Sequence, residues 1–394
     1  MTPHRLPVGA VLGLGVTQII GYGTLYYSFS ILAPDMARGY GLPVEWMFGA
    51  LSVALLVGGL VSPSIGGWID RFGAGRIMAV GSLVAALALI GCAASPNRPS
   101  FLVALVVIEV AANFVQYGAA FALLVQIAPN VALRSITYLT LIAGFASTIF
   151  WPVTSALHAS LSWQQIYLVF AGMNALVCLP VHAWLARTAR PVRGNASTTE
   201  VRKVEGSLPP EKRRSGFVLM IVGFSLQALV SSAVLVHMVP LLSGLGLGAA
   251  AALVGTLFGP AQVASRLINM LLGRDLQPLV LAAISALLMA AAIAVLAATA
   301  PSMVGAMGFA VLFGFGSGLF SIVSGTLPLS LFGSEGYGRL QGKITSARLI
   351  VSAMAPFAFA IAIKPLGEVL SLSIAAICGS LALLAFLAIG RRAG

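Results

Sequence analysis

An all-α integral membrane protein is the fold class this sequence predicts, and three observations predict it. Of 394 residues, 59% are hydrophobic and 8% charged, with a mean hydropathy of +1.02, whereas soluble domains are roughly 45–50% apolar and 25% charged. Apolar runs of about 20 residues, the length a helix needs to cross a hydrocarbon core of about 30 Å, recur along the whole chain. The alternating segments of about ten residues that mark a transmembrane barrel are not visible.

The runs divide into twelve helices. The first six cover about Val8–Leu32, Trp46–Ile69, Ile77–Ala94, Phe101–Ala128, Ser135–His158 and Gln164–Ala186, and the second six about Phe217–Leu241, Ala249–Leu272, Pro278–Ala298, Met303–Leu331, Leu340–Ile363 and Glu368–Ile389. Turn residues punctuate them, as in Pro34, Gly41-Leu42-Pro43, Ser95-Pro96-Asn97, Pro129-Asn130 and Pro365. The first run is preceded by Arg5, is too long for a signal-peptide core and is followed by no A-x-A-like cleavage site, so it is expected to stay as a membrane helix. The one long polar stretch, about Arg187 to Ser215, holds three prolines and eight basic residues and reads as a flexible linker. The expected organisation is a six-helix half over residues 1–186, a cytoplasmic basic linker over 187–215 and a second six-helix half over 216–394.

The formal net charge of +12 would suggest nucleic acid in a soluble chain. Here the basic residues follow topology instead, so nucleic acid is not an expected partner and the lipid bilayer is. With the amino terminus cytoplasmic, seventeen lysines and arginines fall on that side and only Arg38, Arg98 and Lys364 on the other, which places both termini and the linker in the cytoplasm of a bacterial-type inner membrane. Arg266 and Arg348 fall inside helices. Cys92, Cys178 and Cys378 lie far apart in apolar runs without CxxC spacing, so neither disulfide framework nor metal site is expected, and no cofactor is implied. His158, His182 and His237 are scattered toward helix ends and read as satisfied or interfacial.

Sliding one half over the other brings Ile69-Asp70-Arg71 onto Leu272-Gly273-Arg274 at an offset near 203, and Arg134 onto Arg339 near 205. A parallel repeat of six helices is a transporter arrangement, with solute held near the midplane.

A charged turn joins the second and third helices: GGWIDRFGAGR, Gly66 to Arg76. It resembles the loop motif of the major facilitator superfamily, G-x-x-x-D-[RK]-x-G-[RK]-x-[RK], at Gly66, Asp70, Arg71, Gly73 and Arg76, with Ala74 where a basic residue is usual. The resemblance extends through the helix pattern over essentially the whole chain. It implies a monomeric secondary transporter that alternates between inward- and outward-open states, with the motif as a cytoplasmic latch. The acid would be favoured by a helix dipole, that of helix eleven, with Arg348 as a further partner. The simpler alternative is that these charges only anchor a tight turn at the headgroups. Two family features are missing: Glu109 and Asn113 stand where many members carry an arginine and a glycine in helix four, and the fifth helix, GFASTIFWPVTSAL, lacks the G-P-x-x-G-type motif of drug/proton antiporters.

Resemblance to the family implies that helices one, four, seven and ten line a central cavity. Their polar residues do fall on single faces: Gln18, Tyr22 and Tyr26 on helix one; Glu109, Asn113, Gln116 and Tyr117 on helix four; Gln227 and Ser231 on helix seven; Ser317, Ser321 and Ser324 on helix ten. Helix eight adds Gln262, Arg266 and Asn269, and helix five Thr140, Ser147, Thr148, Trp151 and Ser155. Such faces avoid lipid. They contact solute or they bond neighbouring helices.

Glu109 and Arg266 lie roughly 13 Å and 12 Å inside their helix ends at 1.5 Å per residue, bracketing the midplane of a core of about 30 Å. Arg266 is read as the partner of an anionic group on the solute and Glu109 as a proton-coupling acid. The competing roles are a structural pair or snorkelling for Arg266 and a structural hydrogen bond for Glu109. Helix eight is similar to that of the monocarboxylate porters, which carry an acid four residues before the arginine; Gln262 stands there in this chain.

The expected function is secondary transport of a small solute, an organic anion or polar metabolite moved with protons, the symport form. Efflux of amphipathic compounds is the alternative. A membrane enzyme is the rival class, but Asp35, Asp70 and Asp275 are isolated and Gly316-Ser317-Gly318 lacks G-x-S-x-G spacing. A non-transporting receptor on the same fold is a further alternative.

Overall fold

The computed structural model describes residues 6–188, 203–248, 250–273 and 276–393. Arg5, Arg190, Arg193, Arg202, Arg274 and Asp275, and the side chains of Lys364 and Arg392, lie outside the described residues, so their part in the charge count and in the repeat rests on sequence.

Twelve helices are long and apolar enough to cross a membrane: α1 (Val8–Gly39), α2 (Val44–Phe72), α3 (Ala74–Ala93), α4 (Arg98–Ile127), α5 (Pro129–His158), α6 (Trp163–Thr188), α7 (Pro210–Leu247), α8 (Ala250–Leu272), α9 (Pro278–Thr299), α10 (Met303–Phe332), α11 (Tyr337–Ile363) and α12 (Pro365–Arg391). In lipid every backbone polar group must be satisfied internally, so runs of this composition close into helices. Capping follows local rules. Asn97 and Ser162 each form a capping box, with Ser100 and Gln165 respectively, at the starts of α4 and α6.

Two boundaries differ most from expectation. Pro34 lies inside α1, which continues to Gly39 and ends in a turn where Arg38 pairs with Asp35. The helix α7 starts at Pro210 rather than near Phe217, because proline suits a first helical turn, where its missing N–H has no partner to lose.

The chain forms two compact units: Met1–Glu205 with Gly333–Ser346, and Gly206–Phe332 with Ala347–Gly394. The first turns of α11 thus group with the first six helices. The described end of the linker is not loose. In the first unit, Glu205 bridges Gly333 in antiparallel fashion, the Ser334 amide donates to the Val204 carbonyl at 2.9 Å, and Lys203 pairs with Glu335 at 3.3 Å. In the second, the Ser207 amide donates to the Ser330 carbonyl at 2.9 Å.

Close packing depends on small residues, as expected where lipid tails are as apolar as the helices. A Cβ on Gly318 of α10 would stand 2.0 Å from Ser265 Oγ of α8, and one on Gly316 2.5 Å from Met289 of α9. In the first unit Gly81 packs on Phe114 and Gly75 on Ala186 in the same manner. The three histidines among the described residues are all satisfied: His182 between Ser82 and Thr17, His158 with Asp35, and His237 on the Pro356 carbonyl.

Candidate functional site

The charged turn is built by Gly73, whose φ of 89° lies in the left-handed region that only glycine adopts freely. There α2 ends and α3 begins. From α4, Gln126 staples both sides of it: its Oε1 accepts the Ala74 amide at 2.9 Å and its Nε2 donates to the Ile69 carbonyl at 3.2 Å. Asp70 spans to the start of α11, its Oδ1 accepting the Gly338 amide at 2.8 Å and its Oδ2 the Arg339 amide at 2.7 Å. Those are first-turn N–H groups without intrahelical partners, where the helix dipole favours an anion. The approach is possible because a Cβ on Gly66 would lie 2.3 Å from the Gly338 carbonyl oxygen and one on Gly338 2.5 Å from Asp70 Oδ1. Arg71 lies 5.1 Å over the Phe72 ring and Arg76 is exposed. In the second unit Arg348 lies 4.8 Å over the Phe320 ring.

Deeper in the first unit, α1 and α4 are both irregular. The α4 backbone breaks at Gln116 (φ −79°, ψ −170°), dividing Arg98–Val115 from Tyr117–Ile127. Gln18 Nε2 donates to the Val115 carbonyl beside the break at 2.6 Å. Asn113 binds its own helix and α2, donating to the Glu109 carbonyl at 3.0 Å and accepting from Ser62 Oγ at 3.0 Å. Gln18 and Asn113 therefore hold helices together.

Within α1, residues Gly23–Tyr27 form a π turn, an element that inserts one extra residue and is frequent at functional sites. It gathers Tyr22, Tyr26 and Tyr27. Ring centroids lie 4.9 Å apart for Tyr22 and Tyr117, 5.3 Å for Tyr26 and Tyr27, and 6.2 Å for Tyr27 and Trp151 of α5. Gly23 admits α5, since a Cβ there would meet Phe150 at 2.0 Å. Glu109 is 5% exposed, its Oε1 is buried without a hydrogen-bond partner, and no salt bridge involves it among the described residues. Its ionisable neighbours include Tyr26 and Tyr167.

In the second unit Gln227 Nε2 donates to Ser285 Oγ at 3.0 Å and Gln262 Nε2 to Ser317 Oγ at 3.0 Å. Buried Arg266 donates to Ser321 Oγ at 2.8 Å and to the Gly318 carbonyl at 3.4 Å. Ser231 Oγ is buried without a partner. Gln126, Thr24, Asn174 and the glycines at 338 and 342 were not singled out by sequence; the amide side chains among them are single polar groups in apolar runs and could have been.

A twelve-helix membrane protein with a glycine-shaped charged turn capping a later helix fits the transporter class. The family profile of the Major Facilitator Superfamily matches residues 14–356, and the chain belongs to that superfamily. No curated protein matches the sequence. Among solved structures, the chain is similar to the E. coli fucose:proton symporter FucP (13% identity, TM-score 0.71, 98% of this chain and 99% of that one). It is also similar to the human organic anion transporter MFSD10 (16%, 0.69, 98% and 100%) and to the proton:xylose symporter XylE (14%, 0.69, 96% and 95%). At these identities the likeness is one of fold.

Proposed function

We propose that the protein is a proton-coupled secondary transporter of a small polar organic solute, working by alternating access as a monomer in a bacterial-type inner membrane with both termini cytoplasmic. Glu109 carries the proposal. A carboxyl group buried in a membrane helix, with one oxygen unbonded and no ion pair among the described residues, is costly to keep charged in a low dielectric, so its proton is exchangeable when water reaches it. The bonds from Asp70 to the first turn of α11 supply a switch that a transport cycle can make and break. The proton symporters among the similar folds are consistent with this coupling.

The test starts with a thermal-shift screen of purified protein against metabolites at two pH values, since a ligand of the folded state stabilises it by mass action. Hits are then assayed in proteoliposomes under a pH gradient. In Glu109→Gln, uphill accumulation should disappear while downhill exchange persists. Undiminished, pH-dependent uphill uptake would overturn the coupling role. An anionic solute is a second reading, favoured by the buried guanidinium of Arg266. To bind an anion, Arg266 must exchange its bonds to Ser321 and Gly318, and a hit set made only of cations would reject it.

A further inference from the structure

The aromatic cluster of the first unit joins three properties that together select one ligand chemistry. Its rings pack edge to face, Tyr27 against Trp151 at an interplanar angle of 86° and Tyr26 against Tyr27 at 75°. That arrangement turns some ring faces away from their neighbours, and Tyr26 and Trp151 remain 48% and 52% exposed. An aromatic face is electron-rich and attracts cations. Glu109 of the same unit, 5% exposed, interacts electrostatically with Tyr26 and keeps one oxygen unbonded, with no basic side chain paired to it among the described residues.

An anion would be repelled by the ring faces and would oppose ionisation of Glu109. A neutral polyol would gain nothing from the ring faces and would leave the acid protonated. A cation satisfies the rings and the acid together.

We propose that this cluster is a binding site for a small organic cation, an ammonium- or quaternary-ammonium-bearing molecule whose charged head rests on Tyr26, Tyr27 and Trp151 with Glu109 as its counter-ion. The site rests on the proton role of Glu109 proposed above. As a monovalent cation binds, the Glu109 O–H bond breaks and the proton passes to water, one for one, so the charge of the site does not change. Lowering the pH therefore weakens binding, because the protonated acid offers no counter-charge. The ionisable groups facing Glu109 are Tyr26 from α1 and Tyr167 from α6, with Cys92 of α3 beside Tyr167; from α2, Gly58 packs on the Glu109 backbone and the Asn113 amide.

The experiment measures binding of benzyltrimethylammonium to the full-length protein in lipid nanodiscs by calorimetry, with benzyl alcohol and benzoate as neutral and anionic controls. The cation should bind, release close to one proton, and lose up to about tenfold in affinity per pH unit on the acidic side. Glu109→Gln should bind at least about tenfold more weakly and without pH dependence. Tyr26→Leu and Trp151→Leu should each lose about tenfold, whereas Tyr26→Phe, which keeps the ring, should stay within about twofold. Thermal unfolding confirms that each variant is folded. Equal binding of benzyl alcohol or benzoate, or unchanged affinity in Glu109→Gln, would overturn the proposal. If Glu109→Gln abolishes uphill transport but no cation binds the wild type, the cation site fails and the coupling role stands. If the cation binds without releasing a proton, the cation site stands and the coupling role fails.

Discussion

Asn174 Nδ2 on α6 donates to Thr24 Oγ1 on α1 at 3.0 Å, joining two π turns, Asn174–Cys178 and Gly23–Tyr27. Thr24 in turn donates to the Ile20 carbonyl at 2.8 Å, and Asn174 to the Phe170 carbonyl at 2.9 Å. A π turn leaves carbonyls poorly bonded, and side-chain donors one turn later repair the loss. The pair thereby fixes the segment that carries Tyr26 and Tyr27. Asn174→Leu should lower stability by about 1 kcal/mol, near the range of interhelical hydrogen bonds in membranes, read by reversible unfolding in mixed micelles. It should also weaken solute binding, although residue 174 is buried.

Asp70→Asn keeps the shape of the acid but removes its charge and half of its accepting capacity. The two amide bonds from Gly338 and Arg339 cannot both be accepted by one carboxamide oxygen with the present geometry. Charge-assisted bonds of this kind are roughly twice as strong as neutral ones. Transport turnover should fall by about tenfold with little change in solute affinity, measured as rate and equilibrium binding on the same preparation. A wild-type rate would reduce the motif to a structural turn.

Gly338→Ala places a methyl group 2.5 Å from Asp70 Oδ1 and 2.8 Å from Ile69 Cγ2. Overpacking on this scale costs about 1–3 kcal/mol and should force α11 off α2. The control is Gly67→Ala, one residue along from Gly66, where a Cβ meets nothing within 4 Å. Thermal unfolding should separate the two, with the control equal to or slightly above wild type.

Gln18→Leu removes the donor that satisfies the Val115 carbonyl beside the α4 break. An unmet buried acceptor costs about 1–3 kcal/mol. The variant should unfold more readily, and hydrogen exchange should rise in residues 116–120 more than elsewhere in α4.

Much of this protein was legible from residue order, and the reason is the solvent. A bilayer admits only segments of the right length with internally satisfied backbones, so run length and apolarity determine the spans. The charge bias of the loops predicts orientation by an equally local rule. The glycines and charges from Gly66 to Arg76 announced a special turn, and even its helix partner was foreseeable from electrostatics. The polar stripes were legible only in part. Gln18, Asn113, Gln227 and Gln262 share faces with Tyr22, Glu109, Ser231 and Arg266, and each of the four amides bonds a neighbouring helix, yet the amide oxygens of Gln18 and Gln227 stay unbonded, as do one oxygen of Glu109 and that of Ser231. A stripe reports which face avoids lipid. Whether its groups are consumed by packing depends on where neighbouring carbonyls and hydroxyls fall, and that is set by helix contacts between residues far apart in sequence. The break at Gln116 and the π turns at Gly23 and Asn174 arise the same way: no proline lies beside the first two, Pro180 follows the third by two residues, and side chains from other helices make them tolerable. Sequence by itself determined the membrane spans, the family and the charged turn; tertiary structure alone decided which polar groups are bonded by other helices and which are left unbonded, because hydrogen bonds between helices are settled by three-dimensional proximity.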